Sequence, residues 1–324
     1  MSATPEPVRP ATPSTSASDT GEFVALDRQA GRYYEIEPRV AVEVEVGAVS
    51  DRGKVRENNE DHYLAVRRVR HREVIKTSLP VELLPQDDQA MYTLAVADGM
   101  GGHAFGELAS YLALRTGWDL GEGEVKWSVK MNEKEAAELK DKATVFFKLI
   151  NRRLHEAARE RPRLAGMGTT LTVCYSTGPE VFVTHAGDSR AYLHRAGGLT
   201  RLTKDHTVAQ VLIDAGVVSP GSPEANRAKH ALTNCVGGPD AGIDVDVRHY
   251  RLQDGDRLLL CTDGLTDLVS DPEIAQALTD VPNPDDACRV LVDLALLRGG
   301  KDNVTVVVAK YAFAKVDENA IPRS

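Results

Sequence analysis

Most of the hydrophobic pattern along this chain has the period of strands. In RVAVEVEVGAVS, Val40, Val42, Val44 and Val46 fall on one face, while Glu43 and Glu45 fall on the other. A period of two is what a strand with one solvated face requires. Comparable runs predict strands at 62–68, 91–97, 170–175, 180–186, 190–194, 246–252, 256–262 and 303–311. Helical periods are fewer. Between Glu133 and Arg161, residues Ala143, Phe147, Ile150, Leu154 and Ala157 recur at steps of four and three, the apolar stripe of an amphipathic helix. Shorter helices are predicted from Gly106 through Trp118 and from Val208 to Ala215, the latter ended by Gly216. Two more are predicted at 272–279 and 284–298, where Asp271 and Asn283 each precede a proline suited to a first turn.

Several strands follow one another across turn residues alone, as at TGPE (177–180) and AGG (196–198). That spacing predicts antiparallel sheets with helices on their outer faces, not a parallel sheet of repeating βαβ units. Residues 1–31 are predicted to be a disordered tail, because the first 22 or so are rich in Pro, Ser, Thr and Ala and carry little that could form a core. The folded domain is predicted over 32–315, with Tyr33, Tyr34 and Ile36 offering an added strand, and a short tail over 316–324. Stretches 70–90 and 119–133 read as insertions, and 217–232 as a mobile surface loop.

Acidic residues stand at the edges of these apolar runs. Asp98, Asp188, Asp263 and Asp302 occur in LAVADGMGGH, VTHAGDSRAYL, LLLCTDGLTD and KDNVTVVVAKY. A packed strand ends where its side chains first meet water, so several carboxylates delivered there can share one rim. Like charges so placed repel, and partial desolvation adds to the cost, so they need a compensating cation. Singly, each has a plainer reading: Asp98-Gly99 as a hairpin turn, Asp188 as a hairpin residue, Asp302 as a cap. The combination favours a multi-metal site of oxygen ligands. Glycine after aspartate lets the backbone turn sharply, so the Gly99 carbonyl can face the same cation as Asp98. Asp267, four residues after Asp263, shares its side if a helix begins there.

No histidine pair stands at ligand spacing and no thiols cluster, so the implied ions are Mg²⁺ or Mn²⁺ and not Zn²⁺. His185, inside an apolar run, reads as a core histidine. Two such ions hold a bridging water, lower its pKa and clamp both oxygens of an in-line displacement, chemistry that suits phosphoester hydrolysis. In DRGKVRENNED, Arg56 precedes Glu60 and Asp61 and supplies a guanidinium for phosphate oxygens; read singly, Arg56, Arg52 and Arg190 are surface arginines. Glu60 and Asp61 are placed to hold water bound by the ions. The marks of a P-loop, a serine nucleophile elbow, a dinucleotide fingerprint and a kinase are absent.

Composition narrows the partners. The net charge is −9, without a Lys/Arg tract, so nucleic acid and anionic membranes are not expected partners. No apolar run reaches the roughly 20 residues that span a bilayer, and the N-terminus lacks the regions of a signal peptide. Cys174, Cys235, Cys261 and Cys288 are isolated, which predicts reduced thiols and a cytoplasmic protein.

In their order, SDRGKVRENNEDHY (50–63), LAVADGMGGHAFGELAS (94–110), GMGTTLTV (166–173), HAGDSRAYL (185–193), LTKDH (202–206), LTNCVGG (232–238), LLCTDGLTD (259–267) and KDNVTVVV (301–308) resemble the metal-dependent protein phosphatase family, type 2C, in its bacterial Ser/Thr form. The likeness covers about 44–311. It implies an αββα sandwich of two antiparallel sheets flanked by helices. It further implies that Asp98 bridges two catalytic ions, that the Gly99 carbonyl binds one, and that Asp263 and Asp302 bind the other. Asp188, with Asp263 and Asp267, corresponds to a weaker third metal site. Arg56 corresponds to the phosphate binder, and Glu60 and Asp61 to groups ordering metal waters. Residues 207–232 correspond to a variable flap. Met100 stands where eukaryotic members carry a histidine that protonates the leaving group, and His103 is not that histidine by position. The implied activity is Mn²⁺- or Mg²⁺-dependent hydrolysis of phosphoserine and phosphothreonine in proteins, the targets of Ser/Thr kinases. The alternatives are a phosphoprotein-binding pseudophosphatase, which would be expected to lose ligand carboxylates, and a phosphatase for a sigma-factor regulator.

Overall fold

Every strand pairing in the computed structural model is antiparallel, across the residues it describes: 41–79, 84, 89–101, 105–123, 133–239 and 242–314. Strands β1 (Ala41–Asp51), β2 (Asp61–Arg70) and β3 (Gln89–Met100) come first, followed by helices α1 (Phe105–Gly123) and α2 (Glu133–Glu160). Five strands follow: β4 (Gly168–Thr169), β5 (Leu171–Thr177), β6 (Glu180–Ala186), β7 (Arg190–Arg195) and β8 (Gly198–Arg201). Short helices α3 (Val208–Asp214) and α4 (Pro223–Ala228) precede β9 (Val236–Gly237), β10 (Asp246–Arg251) and β11 (Arg257–Cys261). Helices α5 (Asp263–Thr266), α6 (Asp271–Asp280) and α7 (Pro284–Leu297) lead into β12 (Val304–Ala314).

One sheet runs β1-β12-β11-β7-β8. The other runs β10-β6-β5-β3, with β2 along β3 and the short β4 and β9 continuing from the end of β3. The strand period decides the layers. Along β12, Val304, Val306 and Val308 face a core shared with Ile274, Leu278, Leu291 and Ala295 of α6 and α7. The intervening Val307, Ala309 and Tyr311 face Leu94, Val96, Cys174 and Val183 of the other sheet. On that sheet's outer face, Leu171 and Ala186 pack with Ala109 and Ala113 of α1 and Phe147, Ile150 and Leu154 of α2. Three apolar layers between four layers of structure make the predicted αββα sandwich. The predicted stripe of α2 is its packed face, and Val42, Val44 and Val46 of β1 turn into the core between the sheets.

Several boundaries differ from the sequence expectation for local reasons. The stretch 217–232 contains α4, where the Ser222 hydroxyl accepts from the Ala225 N–H and Pro223 opens the helix. A capping side chain followed by proline is the start signal that the sequence also offers at Asn283-Pro284. At α6 the capping residue is Ser270, not Asp271: its N–H donates to Glu273 Oε2 (3.0 Å) in a capping box. At α7 Asn283 caps as expected, accepting from the Asp286 N–H. The insertions are shorter than expected, since β2 and β3 extend through Arg70 and from Gln89, and α1 runs to Gly123. Strands β8 and β9 were not anticipated; two to four residues are too few to show a period. The tails 1–31 and 316–324 and the added strand of Tyr33, Tyr34 and Ile36 lie outside the described residues. So do most of 80–88 and 124–132. Among the described residues, no helix is long and apolar enough to cross a membrane.

The β7–β8 hairpin turns at Ala196 (φ 50°) and Gly197 (φ 81°). Among the described residues Ala196 alone combines a side chain with the left-handed region, at a cost asparagine tolerates better. Ala196→Asn should stabilise the fold by about 0.5 kcal/mol. A denaturant titration giving equal or lower stability would contradict this.

Candidate metal centre

Antiparallel pairing brings the strand ends that carry acidic residues to one rim. Asp61 opens β2 and stands directly opposite Asp98 near the end of β3. The end of β11 lies beside the start of β12, with Cys261 opposite Val306, so Asp263 and Asp302 flank the same edge. Asp188 follows β6. Asp61, Asp263, Asp188 and Asp302 all lie near enough to repel the Asp98 charge.

The backbone at this rim is tightly fixed. The Thr170 N–H and Thr169 hydroxyl donate to the Asp98 carbonyl (2.9 and 2.8 Å), and the Asp98 N–H donates to Thr170 Oγ1 (3.0 Å). The glycines after Asp98 and Asp263 serve close approach, not the sharp turn expected from sequence. Gly99 lies within β3, where a Cβ would overlap the Gly106 carbonyl; at Gly264 it would overlap the Asn303 carbonyl. Neither has a positive φ. Helix α5 begins at Asp263, and the Asp267 N–H donates to the Asp263 carbonyl (2.8 Å), placing both carboxylates on one side.

Proton affinities report the crowding. Burial first, then repulsion from Asp61 and the other three, holds the Asp98 carboxyl well above its usual range. Burial pushes Asp61 up to about 7, against the opposing hydrogen bonds of Thr305 and Thr262, and Asp263 and Asp302 add repulsion. Asp188 is pushed up to about 8 by burial, then by Asp263 and Asp205. Asp61 Oδ2 accepts from the Thr262 and Thr305 hydroxyls (2.8 and 2.7 Å), while Oδ1 is buried without a hydrogen-bond partner among the described residues. Buried acceptors are rarely left so. Oxygen-only donors, clustered charge and an orphaned oxygen together fit hard divalent cations with their bound waters.

Arg56 reaches the rim through a loop that the chain alone does not predict. Its Nη2 donates to Asp302 Oδ2 (2.7 Å) with half the side chain still in solvent. Asp302 first, then Glu60 and Asp98, strengthens its hold on its proton. Buried Asn303 shapes this loop: its Nδ2 donates to the carbonyls of Arg52 and Asn58 (2.8 and 2.9 Å), and its Oδ1 accepts from the Glu60 N–H (2.8 Å). Glu60 lies against α1, where a Cβ at Gly106 would press on its carboxylate (2.6 Å to Oε2), and its carbonyl accepts from the Ser110 hydroxyl (2.6 Å). Asn303 was missed from sequence, although a polar residue at the mouth of an apolar strand was the available signal.

Two residues of the flap that no sequence motif singles out, Lys229 and His230, reach the rim. Lys229 Nζ pairs with Asp267 Oδ1 (2.7 Å), and His230 lies 3.3 Å from both Asp263 Oδ2 and Asp267 Oδ2. His230, Asp263 and Asp267 are grouped closely enough to share one cation. Arg190 is only partly exposed: it forms a fork with Asp205 (3.0 and 2.7 Å) and does not join the rim. His185 is the expected core histidine, held by Thr172 and the Lys204 carbonyl. His103 lies outside the described residues.

Comparisons with known proteins agree with this geometry. The family model for protein phosphatase 2C matches residues 83–296. The Mycobacterium tuberculosis serine/threonine protein phosphatase PstP is 36% identical over 271 residues, 84% of this chain and 46% of that protein. The chain thus spans about half the length of PstP. Protein phosphatase PhpP of Streptococcus pneumoniae is 33% identical over 270 residues, covering 82% of this chain and 96% of PhpP. Two crystal structures of M. tuberculosis PstP superpose with TM-scores of 0.67 and 0.66 at 35% identity. They cover 83% and 84% of this chain, and 99% and 100% of theirs. The second is a catalytic domain in complex with two manganese ions.

Asn303→Ala leaves two carbonyls and one N–H without their partner and should cost about 2 kcal/mol or more; a denaturation midpoint equal to wild type would refute its organising role. For chelator-treated protein the pH dependence has a definite sign. Asp61 and Asp188 bind protons more tightly folded, with values about 7 and about 8, than unfolded, near 3.8. Stability should therefore fall as pH rises from about 5 to 8 and level off above. Thermal melts across that window test this, and Asp61→Asn should flatten the slope. A midpoint that climbs with pH would contradict it.

Proposed function

The chain belongs to the protein phosphatase 2C family, and on that premise we propose that it is a metal-dependent protein serine/threonine phosphatase. The observation that carries the reading is the meeting of Asp98, Asp188, Asp263 and Asp302 from four separate strand ends, with Arg56 ion-paired at their edge. Asp98, the Gly99 carbonyl, Asp263 and Asp302 would hold two Mn²⁺ or Mg²⁺ ions, and Asp188, Asp263 and Asp267 a weaker third. When bound, such ions neutralise the repelling carboxylates, acidify a water for attack on phosphorus and draw charge from the phosphoryl oxygens.

The remaining steps belong to the chain. Arg56 grips the non-bridging phosphate oxygens with the half of its guanidinium that faces solvent, while Asp302 keeps it at the rim. Asp61, held on Oδ2 by two threonine hydroxyls, offers the free Oδ1 to a water and orients it. Glu60, braced against α1, helps to order such waters. Met100 has no proton to give, so the departing serine or threonine oxygen takes its proton from water. The substrates are phosphorylated proteins of the kind made by Ser/Thr kinases, selected in part by the flap at 207–232. Among the described residues three of four thiols are buried and none is bridged, which supports work in the reducing cytoplasm. The phosphatase domain spans 32–315, between the two tails.

Purified protein should release phosphate from a phosphothreonine peptide only with Mn²⁺ or Mg²⁺ present. Asp98→Ala should lower kcat at least about 1,000-fold, and Arg56→Ala should lower kcat/KM about 100-fold, mainly through substrate and transition-state binding. Phosphate release that survives exhaustive chelation, or an Asp98→Ala enzyme as active as wild type, would overturn the reading. Peptide binding without any release would identify a pseudophosphatase instead.

A further inference from the structure

Helix α2 carries a second charged feature that the carboxylate centre does not use. Lys148, Arg152, His155 and Arg159 recur at steps of four, three and four, which confines them to an arc of about 60° on the helix. They line a hollow of about 390 Å³ together with Asn151, Gly242 and Ile243. That volume lies within the roughly 300–1,000 Å³ of small-molecule sites. No residue of the carboxylate centre lines it.

Three observations make this more than a solvated helix face. First, Lys148, Arg152 and Arg159 have no carboxylate partner among the described residues, although the whole chain carries a net charge of −9. The neighbouring acid on the helix, Glu156, pairs with Arg153 instead (3.7 Å), and Asp244 of the facing loop acts on His206. Second, His155 Nε2 is buried without a hydrogen-bond partner, one of two such side-chain atoms among the described residues. Buried polar atoms are normally satisfied, so this nitrogen points to a missing group. Third, the wall is rigid: the Asn151 carboxamide oxygen accepts from the Gly237 N–H (2.7 Å), and Leu154 packs in the core beneath.

We propose that this hollow is an anion site, taking a phosphate-type oxyanion between the two guanidinium groups, the Lys148 ammonium and His155 Nε2. Two arginine forks and an ammonium suit a doubly charged group with several acceptor oxygens better than a single carboxylate. With its proton on Nε2, His155 becomes a donor to that group. The anion is either free phosphate or a phosphorylated side chain of a protein held away from the carboxylate centre. The site does not depend on the proposed catalytic reading.

The test uses the full chain loaded with Mg²⁺ and calorimetric titration with inorganic phosphate. Two classes of site are expected. Arg152→Glu combined with Arg159→Glu should abolish one class or weaken it at least about tenfold, while Arg56→Ala should weaken only the other. His155→Gln, a milder change, should weaken the same class as the double variant, with circular dichroism reporting an intact fold. Hydrolysis of a small aryl phosphate by the double variant should stay at wild-type rate. Repeating the titration with a phosphothreonine peptide assigns the source: affinity about tenfold above phosphate indicates a protein-borne group, and equal affinity indicates the free anion. A single class of site that Arg56→Ala abolishes and neither α2 variant alters would overturn the proposal.

Discussion

Mutual repulsion among crowded, partly buried carboxylates is the constraint around which this molecule is arranged. Asp98 faces four others across a half-buried rim, and Asp98, Asp61 and Asp188 all hold their protons more tightly because of burial and the neighbouring charges. Left to themselves such groups would splay apart or protonate. They stay because the backbone that bears them is fixed by interactions unrelated to charge: threonine hydroxyls on the Asp98 and Asp61 segments, and glycines that let the chain pass within van der Waals contact of its neighbour. Folding energy from three apolar layers is thereby used to hold a concentration of negative charge, and a divalent cation is what relieves it.

The chain also supplies cations of its own. Arg56 pairs with Asp302, and Lys229 and His230 from the flap lie on Asp267 and Asp263. These groups neutralise the outer edge of the rim and leave Asp98 and Asp61, at its centre, without a basic partner among the described residues. The same residues that would meet a phosphate or a third ion thus also steady the acidic loops. Asn303 links the two functions, since it fixes the loop that carries Arg56 while its own N–H binds Asp302 Oδ1 (2.9 Å). On α2 the opposite charge is concentrated, in a hollow with its own unsatisfied nitrogen. A chain with a net charge of −9 therefore segregates its charges: acids at the sandwich rim, bases along one helix face.

Much of this was legible in the sequence, and for one reason. Strand and helix periods are local properties, so the nine strand runs and the stripe of α2 could be read from spacing, and with them the antiparallel sandwich. Asp98, Asp188, Asp263 and Asp302 could be picked out because each ends an apolar run, and the end of a run must lie at an edge. Short elements such as β8, β9 and α4 escaped because a few residues carry no period.

What only the tertiary structure decided is which edges meet. The register that sets Asp61 opposite Asp98 and Cys261 opposite Val306 is a matter of pairing between segments far apart in the chain, and no local signal encodes it. The same holds for the glycines, whose purpose is close packing against Gly106 and Asn303 and not a turn, and for Lys229 and His230, which reach the acids only through the fold of the flap. Propensity and charge act between neighbours in sequence. The proton affinities of the carboxylates, the orphaned oxygen of Asp61 and the partnerless nitrogen of His155 arise from desolvation and convergence, which exist only once the chain has closed on itself.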